Sequence, residues 1–186
     1  EKILLFDGGT GSLLQEAGLK PGELPETWNI SHPDIVVKLH SDYLEAGCDI
    51  IKTNTFGANR FKYNSGTQYS LKEIVTAAMD NAMRGQKAGR GYIGTGYRAD
   101  RKAVKAGWDN WILRRLFQYS GRWQKQERNR RRLILIETMS DTYELKAAVL
   151  AAKESSSLPV FATVIFDEKG KMLTGGTPQT AIALLE

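Results

Sequence analysis

Apolar positions along this chain follow two rhythms. Short unbroken runs, many of them β-branched, occur at Ile3–Phe6, Asp49–Phe56 (DIIKTNTF), from Tyr92 and Ile93 onward, Leu133–Ile136 (LILI) and Pro159–Phe166. Between them, apolar side chains recur every three or four positions. The first rhythm predicts strands buried in a sheet, and the second predicts helices with one apolar stripe.

The helix signals are local. Ser12 is expected to cap a short helix, Leu13–Ala17, closed by Gly18, while Leu19–Ile30 has two prolines and no period and reads as a long loop. Ser31 with Asp34 has capping-box spacing, Pro33 falls in the first turn, and Ile35, Val36, Leu39, Tyr43 and Leu44 mark one face of a helix ended by Gly47. Ser70 with Glu73 forms a second capping box; Leu71, Ile74, Val75, Ala78 and Ala82 continue as a stripe that ends near Gly89 and Gly91. Asp141 opens a helix lined by Leu145, Ala148, Val149 and Ala152, and Pro178 starts another. Strands and helices alternate, which predicts right-handed β/α units and a parallel sheet.

Two α/β architectures remain: an open doubly wound sheet, and the first part of an eight-stranded barrel. A complete barrel takes about 250 residues. Five strands in 186 residues therefore make an open or truncated barrel, and a chain that starts without Met and stops at Glu186 inside a helix reads as a piece of a longer protein.

Composition narrows this little. With 41% hydrophobic and 25% charged residues the chain is globular, and no apolar run nears the roughly 18 residues of a membrane span. A cytoplasmic protein is expected. One cysteine and two histidines are too few for a structural zinc site. The charge is more informative because it is uneven. Residues 98–132 hold 12 Lys and Arg against 3 Asp and Glu, a net +9 that leaves −4 for the rest of the chain. The same segment holds Trp108, Trp111 and Trp123.

In either architecture, sites are built where strands end. Polar groups terminate the apolar runs at Asp7 with Gly8, Gly9, Thr10 and Gly11, at Asn54 with Thr55, at Glu137 with Thr138, and at the glycines of TGGTP. Carboxylates beside glycine-turn amides suit a zwitterion, Asp7 or Glu137 facing an ammonium and the Gly8–Gly11 amides a carboxylate. Asp-Gly-Gly is also ordinary turn chemistry, and Asn54 or Thr55 could cap a helix. Glu137 is harder to explain structurally, because an unpaired carboxylate straight after LILI is costly. Cys48 reads as a small buried filler, and His32 and His40 as bystanders. GGTGS lacks the lysine of a phosphate-binding loop.

Taken together, FDGGTGSLLQ, PETWNISHPDIVVKLHSDYLEAGCDIIKTNTFGANRFK, LILIETMSDTYELKAAVLAAK and PVFATVIFDEKGKMLTGGTP resemble the homocysteine-binding domain of homocysteine S-methyltransferases. The resemblance implies a TIM-type (β/α)8 barrel in which zinc holds the homocysteine sulfur as a thiolate. The thiolate attacks a methyl group, carried by methylcobalamin in members that work with cobalamin- and folate-binding modules, or by an S-methyl donor in standalone members. It also implies that Asp7, Gly8, Gly9, Thr10, Gly11, Asn54, Thr55 and Glu137 hold the amino-acid end of homocysteine. The family's zinc cysteines belong to later strands, so the ligands are expected beyond Glu186. Residues 1–186 then form a partial domain carrying the substrate-orienting half, with no catalytic residue of its own; the alternative is a non-catalytic fragment.

Residues 95–132 depart from the family, which here usually has a strand end Gly-Pro-Thr-Gly-Lys-Leu-Leu-Lys followed by an acidic helix. Arg98–Ala106 can be encoded as CGG GCC GAC CGG AAA GCT GTT AAA GCC; shifted by one base this gives Gly-Pro-Thr-Gly-Lys-Leu-Leu-Lys. Trp111–Phe117, read from the third base of TGG ATT TTG AGG AGG CTG TTT, gives Asp-Phe-Glu-Glu-Ala-Val. The segment therefore reads as an out-of-frame translation. A basic, tryptophan-bearing insertion that grips phosphate backbones is the rival, but the frame reading accounts for the composition without a nucleic-acid partner.

Two outcomes are expected. The gene carries the family motif in a shifted frame across this segment, which sequencing the locus checks. The polypeptide binds no zinc stoichiometrically, and one tightly held zinc per chain in a metal assay contradicts that.

Overall fold

The computed structural model describes residues 3–59, 62–63, 67–86, 91–97 and 132–186. Its elements are helix α1 (Thr10–Glu16), a 3-10 turn (Pro25–Thr27), α2 (Trp28–Ser31), α3 (Pro33–Glu45), strand β1 (Ile50–Lys52), α4 (Leu71–Gly85), β2 (Tyr92–Tyr97), β3 (Arg132–Met139), α5 (Thr142–Ser155), β4 (Val160–Val164) and α6 (Pro178–Leu185). The four strands pair in chain order and in parallel. Ahead of them Phe6 makes a parallel bridge to Ile50, giving five parallel segments alternating with helices. The fold is α/β, as the two rhythms predict.

Both faces of the sheet are apolar, for different reasons. On the outer face, Ile134 and Ile136 pack with Ile74 and Val75 of α4 and Leu145, Ala148 and Ala152 of α5. Ile51 and Ile93 meet Met79 and Ala82 in the same way. On the inner face, Ile50, Leu133 and Leu135 form their own cluster with Tyr92. A strand covered on both sides needs a continuous apolar run, which is why LILI carries no alternation. The inner face is curved. Phe6 and Phe161 belong to opposite ends of the strand order, yet their rings meet edge to face with centroids 6.4 Å apart.

Several local expectations change. Ile3–Phe6 is an exposed edge segment held by one bridge, not a buried strand, with Ile3 83% and Leu5 56% exposed; no described segment pairs with its other edge. The Asp49–Phe56 strand shrinks to Ile50–Lys52, because Thr53, Asn54 and Thr55 turn their polar groups to other backbone segments. The Pro159–Phe166 strand shortens to Val160–Val164. Helix α1 starts at Thr10 with Gly9 at its N-cap and no side-chain cap, so Ser12 lies inside it. The stretch 19–30 is not all loop: Pro25 opens the 3-10 turn, and one helical turn follows, too short to show a period.

The capping box at Ser31 does not form. Its hydroxyl donates to the Thr27 carbonyl, and Asp34 pairs with Arg84 at 2.8 Å. The box at Ser70 and Glu73 forms in full. Asp141 caps α5 through the N–H groups of Tyr143 and Glu144. Helix α4 stops at Gly85, earlier than expected. Of residues 95–132, the described ends Thr95–Tyr97 and Arg132 pair within the sheet; residues 98–131, with the out-of-frame and nucleic-acid readings, lie outside the described residues. No helix among the described residues is long and apolar enough to cross a membrane.

His40 is fully buried on α3, and among the described residues neither ring nitrogen has a hydrogen-bond partner. Burial pushes its pKa down to about 4 from 6.5. Below pH 6.5 the unfolded chain takes up a proton that the folded chain refuses, so stability falls as pH drops toward 4. His40→Leu is expected to remove about 2 kcal/mol of the stability loss between pH 7 and pH 5, measured by urea unfolding.

Candidate active site at the strand tips

Residues paired in a parallel ladder project to one face. Going up the inner face, the apolar layer of Ile50, Leu133 and Leu135 is succeeded two residues later by Lys52 on β1 and Glu137 on β3. The intervening strand β2 offers Gly94 and Gly96 on that face, in register with Lys52 and with Leu133 and Leu135. With no side chains there, the Lys52 ammonium crosses β2 and lies 3.1 Å from Glu137 Oε1. A Cβ at Gly96 would sit 3.4 Å from Glu137 Oε2.

Asp7 completes the group. Its N–H donates to the Ile50 carbonyl at 2.8 Å, and its Oδ2 accepts the Lys52 backbone N–H at 2.8 Å, so the carboxylate continues the ladder where the strand has ended. Its Oδ1 lies 3.5 Å from Lys52 Nζ, and the side chain is fully buried. Burial pushes the Asp7 carboxyl up to about 6, against the Lys52 N–H and ammonium, which pull it down. Burial alone would lower the Lys52 pKa, but Glu137 and Asp7 together outweigh it and hold the ammonium above its ordinary value.

Glu137 owes its direction to a break in the strand. The ladder between β3 and β4 is irregular between Ile136 and Met139, and Thr138 has φ of 61°. A β-branched residue rarely adopts that conformation. The Thr138 N–H donates to Thr163 Oγ1 at 2.8 Å, which holds the irregularity in place. Such local strain is typical of sites where a side chain must be aimed.

Asn54 and Thr55 stand at the same end of the sheet but spend their polar groups on the chain itself. The Asn54 side-chain amide donates to the Pro25 carbonyl at 2.8 Å, and the Asn54 backbone carbonyl accepts the Asn29 side-chain amide at 2.8 Å. Thr55 donates to the Gly96 carbonyl at 2.6 Å while the Gly96 N–H donates to Thr53 Oγ1 at 3.2 Å, so the two threonines tie the tips of β1 and β2 together. Gly8, Gly9 and Gly11 lie exposed and Thr10 half-buried in the turn after Asp7, and the Tyr43 hydroxyl donates to the Gly9 carbonyl at 3.1 Å. Of the residues singled out in the sequence, Asp7 and Glu137 share one charged group, the glycine turn adjoins it, and Asn54 and Thr55 brace it.

Lys52, Gly94 and Gly96 were not singled out. Two glycines at alternate positions of a strand, YIGTGY, are the signal, since glycine inside a strand marks a close approach. Buried Glu26 was also missed: it accepts the Gly57 N–H at 2.6 Å and the Tyr63 hydroxyl at 2.8 Å, anchoring the segment after β1. Burial, then the Glu26 charge, raises the Tyr63 pKa. Cys48 is half-buried rather than buried, with its Sγ 3.6 Å from the Phe6 carbonyl. Burial, Asp7 and Asp49 raise its thiol pKa, the opposite of an activated nucleophile. His32 is the residue ahead of α3 and stacks on Trp28 at 4.2 Å.

A curved parallel sheet with helices outside and charged groups at its carboxyl tips is the architecture of barrel enzymes that work at that rim. A family model described as homocysteine S-methyltransferase matches residues 4–186, and the chain belongs to that family. It is 28% identical over 213 residues to a methionine synthase of Mycobacterium leprae and 27% identical over 210 residues to one of Mycobacterium tuberculosis. The match covers 100% of this chain, which spans 17% of the length of either relative. Among solved structures it is similar to the homocysteine methyltransferase MmuM from Escherichia coli. The apo form gives a TM-score of 0.70 at 16% identity over 100% of this chain and 68% of that one. The metallated form gives 0.74 at 17% over 100% and 70%. The fold is that of these TIM-barrel proteins.

Gly96→Val is expected to push Glu137 away from Lys52. The Lys52 pKa, read by nitrogen-detected NMR, then falls from its raised value, while the far-ultraviolet circular dichroism of the sheet and helices is kept.

Proposed function

We propose that this chain holds the amino-acid end of homocysteine in a methyl-transfer site. One observation carries the reading: Asp7 and Glu137, from segments far apart in sequence, converge on a single ammonium at the inner rim of the sheet. An ammonium that donates to two carboxylates through charge-assisted hydrogen bonds is the interaction that would fix an α-amino group. The glycine turn Gly8–Gly11 adjoins Asp7 and offers backbone amides for the α-carboxylate. Asn54 and Thr55 act beneath, by keeping the strand tips in register. Family membership favours this substrate class over other amino acids.

The zinc of the family resemblance does not fit the described residues. Among them no three His, Cys, Asp or Glu side chains converge to hold a metal ion, and Cys48 carries a thiol with a raised pKa. The residues in hand bind and orient the amino acid, and activation of its sulfur belongs to other groups. The methyl donor, methylcobalamin on another module or an S-methyl compound, is likewise supplied from outside these residues. A cytoplasmic setting accords with that chemistry.

L-Homocysteine added to the chain is expected to shift the NMR signals of Asp7, Gly8–Gly11 and Glu137. Glu137→Gln is expected to weaken that binding by about tenfold or more, the loss of one charge-assisted hydrogen bond. Unchanged affinity in this variant would reject the reading.

A further inference from the structure

The ammonium seat just described already has an occupant. Lys52 Nζ lies 3.1 Å from Glu137 and 3.5 Å from Asp7, and it belongs to the strand two places away from Glu137 in the sheet. A lysine whose role was only to neutralise Asp7 would not need to cross a strand. Positions 94 and 96, the inner-face positions of β2 that it passes, are glycine, so no β2 side chain lies between the two carboxylates and the space is filled from below by a flexible four-carbon tether.

The filling is incomplete. Asp7 Oδ1 is buried and has no hydrogen-bond partner among the described residues, since the ammonium is drawn nearer to Glu137. Two carboxylates share one cation, which leaves a net negative charge at a rim where the Lys52 side chain keeps 20% of its surface in contact with solvent. An ammonium has three donors and can serve both carboxylates at hydrogen-bond distance. Lys52, tethered to β1, stands at 3.1 Å from one and 3.5 Å from the other, whereas a free ligand carries no such tether. A cation held by one good contact and one long one, with a path to solvent, is exchangeable.

We propose that Lys52 is a tethered stand-in for the substrate ammonium, which an incoming amino acid must displace from Asp7 and Glu137. Lys52 thereby sets how strongly the site prefers an amino acid over the same thiol acid without its amine. The inference rests on the proposed amino-acid reading and names the residue that tunes it. In the chain as it stands, part of the advantage an α-ammonium would bring is cancelled by the lysine it evicts.

The test compares L-homocysteine with 4-sulfanylbutanoate, its desamino counterpart, by calorimetric titration of the full chain, Lys52→Gln and Lys52→Arg. Lys52→Gln is expected to raise the preference for homocysteine over the desamino acid by about tenfold, through tighter homocysteine binding. Lys52→Arg, which keeps a cation in the seat, is expected to leave the preference as it is. An equal preference in the full chain and Lys52→Gln overturns the inference. A second measurement needs no substitution: the Lys52 ammonium protons, slowed in exchange by their carboxylates, are expected to speed up on saturation with homocysteine, and no change while homocysteine binds also overturns it. Failure of the amino-acid reading looks different. Neither thiol then binds, but n-butylammonium raises the Tm of Lys52→Ala and not that of the full chain; absence of that rise as well removes the seat itself.

Discussion

A lysine ammonium shared by two carboxylates is the interaction on which the strand-tip region depends. Each member is unfavourable there alone. Asp7 is fully buried, and leaving a carboxylate in such a place without a counter-charge costs about 3 kcal/mol or more. Lys52 would lose its proton more readily if burial acted by itself. Together they tolerate desolvation, and the requirement that all three groups meet ties the segment before α1 to β1 and β3. The strand between them presents no side chain at this level, since its two inner-face positions there are Gly94 and Gly96.

The rest of the architecture serves that meeting. Below the charged layer, Ile50, Leu133 and Leu135 exclude water from the inner face, which strengthens the interactions above them. Outside, α4 and α5 clamp β3 through Ile134 and Ile136, so the strand that carries Glu137 is rigid up to the residue where it must bend. The bend is local and strained, at Thr138, and it is held by a neighbouring strand through Thr163. The loop entering α2 is drawn in by amides as well as by the packing of Leu19, Leu24 and Trp28: Asn81 donates to the Asn29 carbonyl, Asn29 to Glu26 and Asn54, and Asn54 to Pro25. Buried polar groups in such a chain require every partner to be in place, which rigidifies the strand tips.

Much of this was legible along the chain. Five apolar runs separated by helical stripes predict parallel β/α units, because a strand buried on both faces and a helix buried on one leave different periodicities. Caps at Ser70 and Asp141 were legible for the same local reason: each is a side chain bonding to backbone within three residues. The box at Ser31 was not, since a competing turn ending at that residue claims the hydroxyl for Thr27. Asp7 and Glu137 stood out as carboxylates that end apolar runs, and family resemblance gave them a common ligand.

The sequence by itself thus determined the alternation of parallel strands with helices and the two acidic ends of apolar runs, which follow from periodicity and from the cost of charge beside apolar residues. Only the tertiary structure decided that Lys52 bridges those ends, that Gly94 and Gly96 open the way for it, and that Asn54 and Thr55 face the backbone. The physical reason is distance along the chain. A hydrogen bond across 85 positions depends on the register and curl of the sheet between its partners, and no local pattern encodes either.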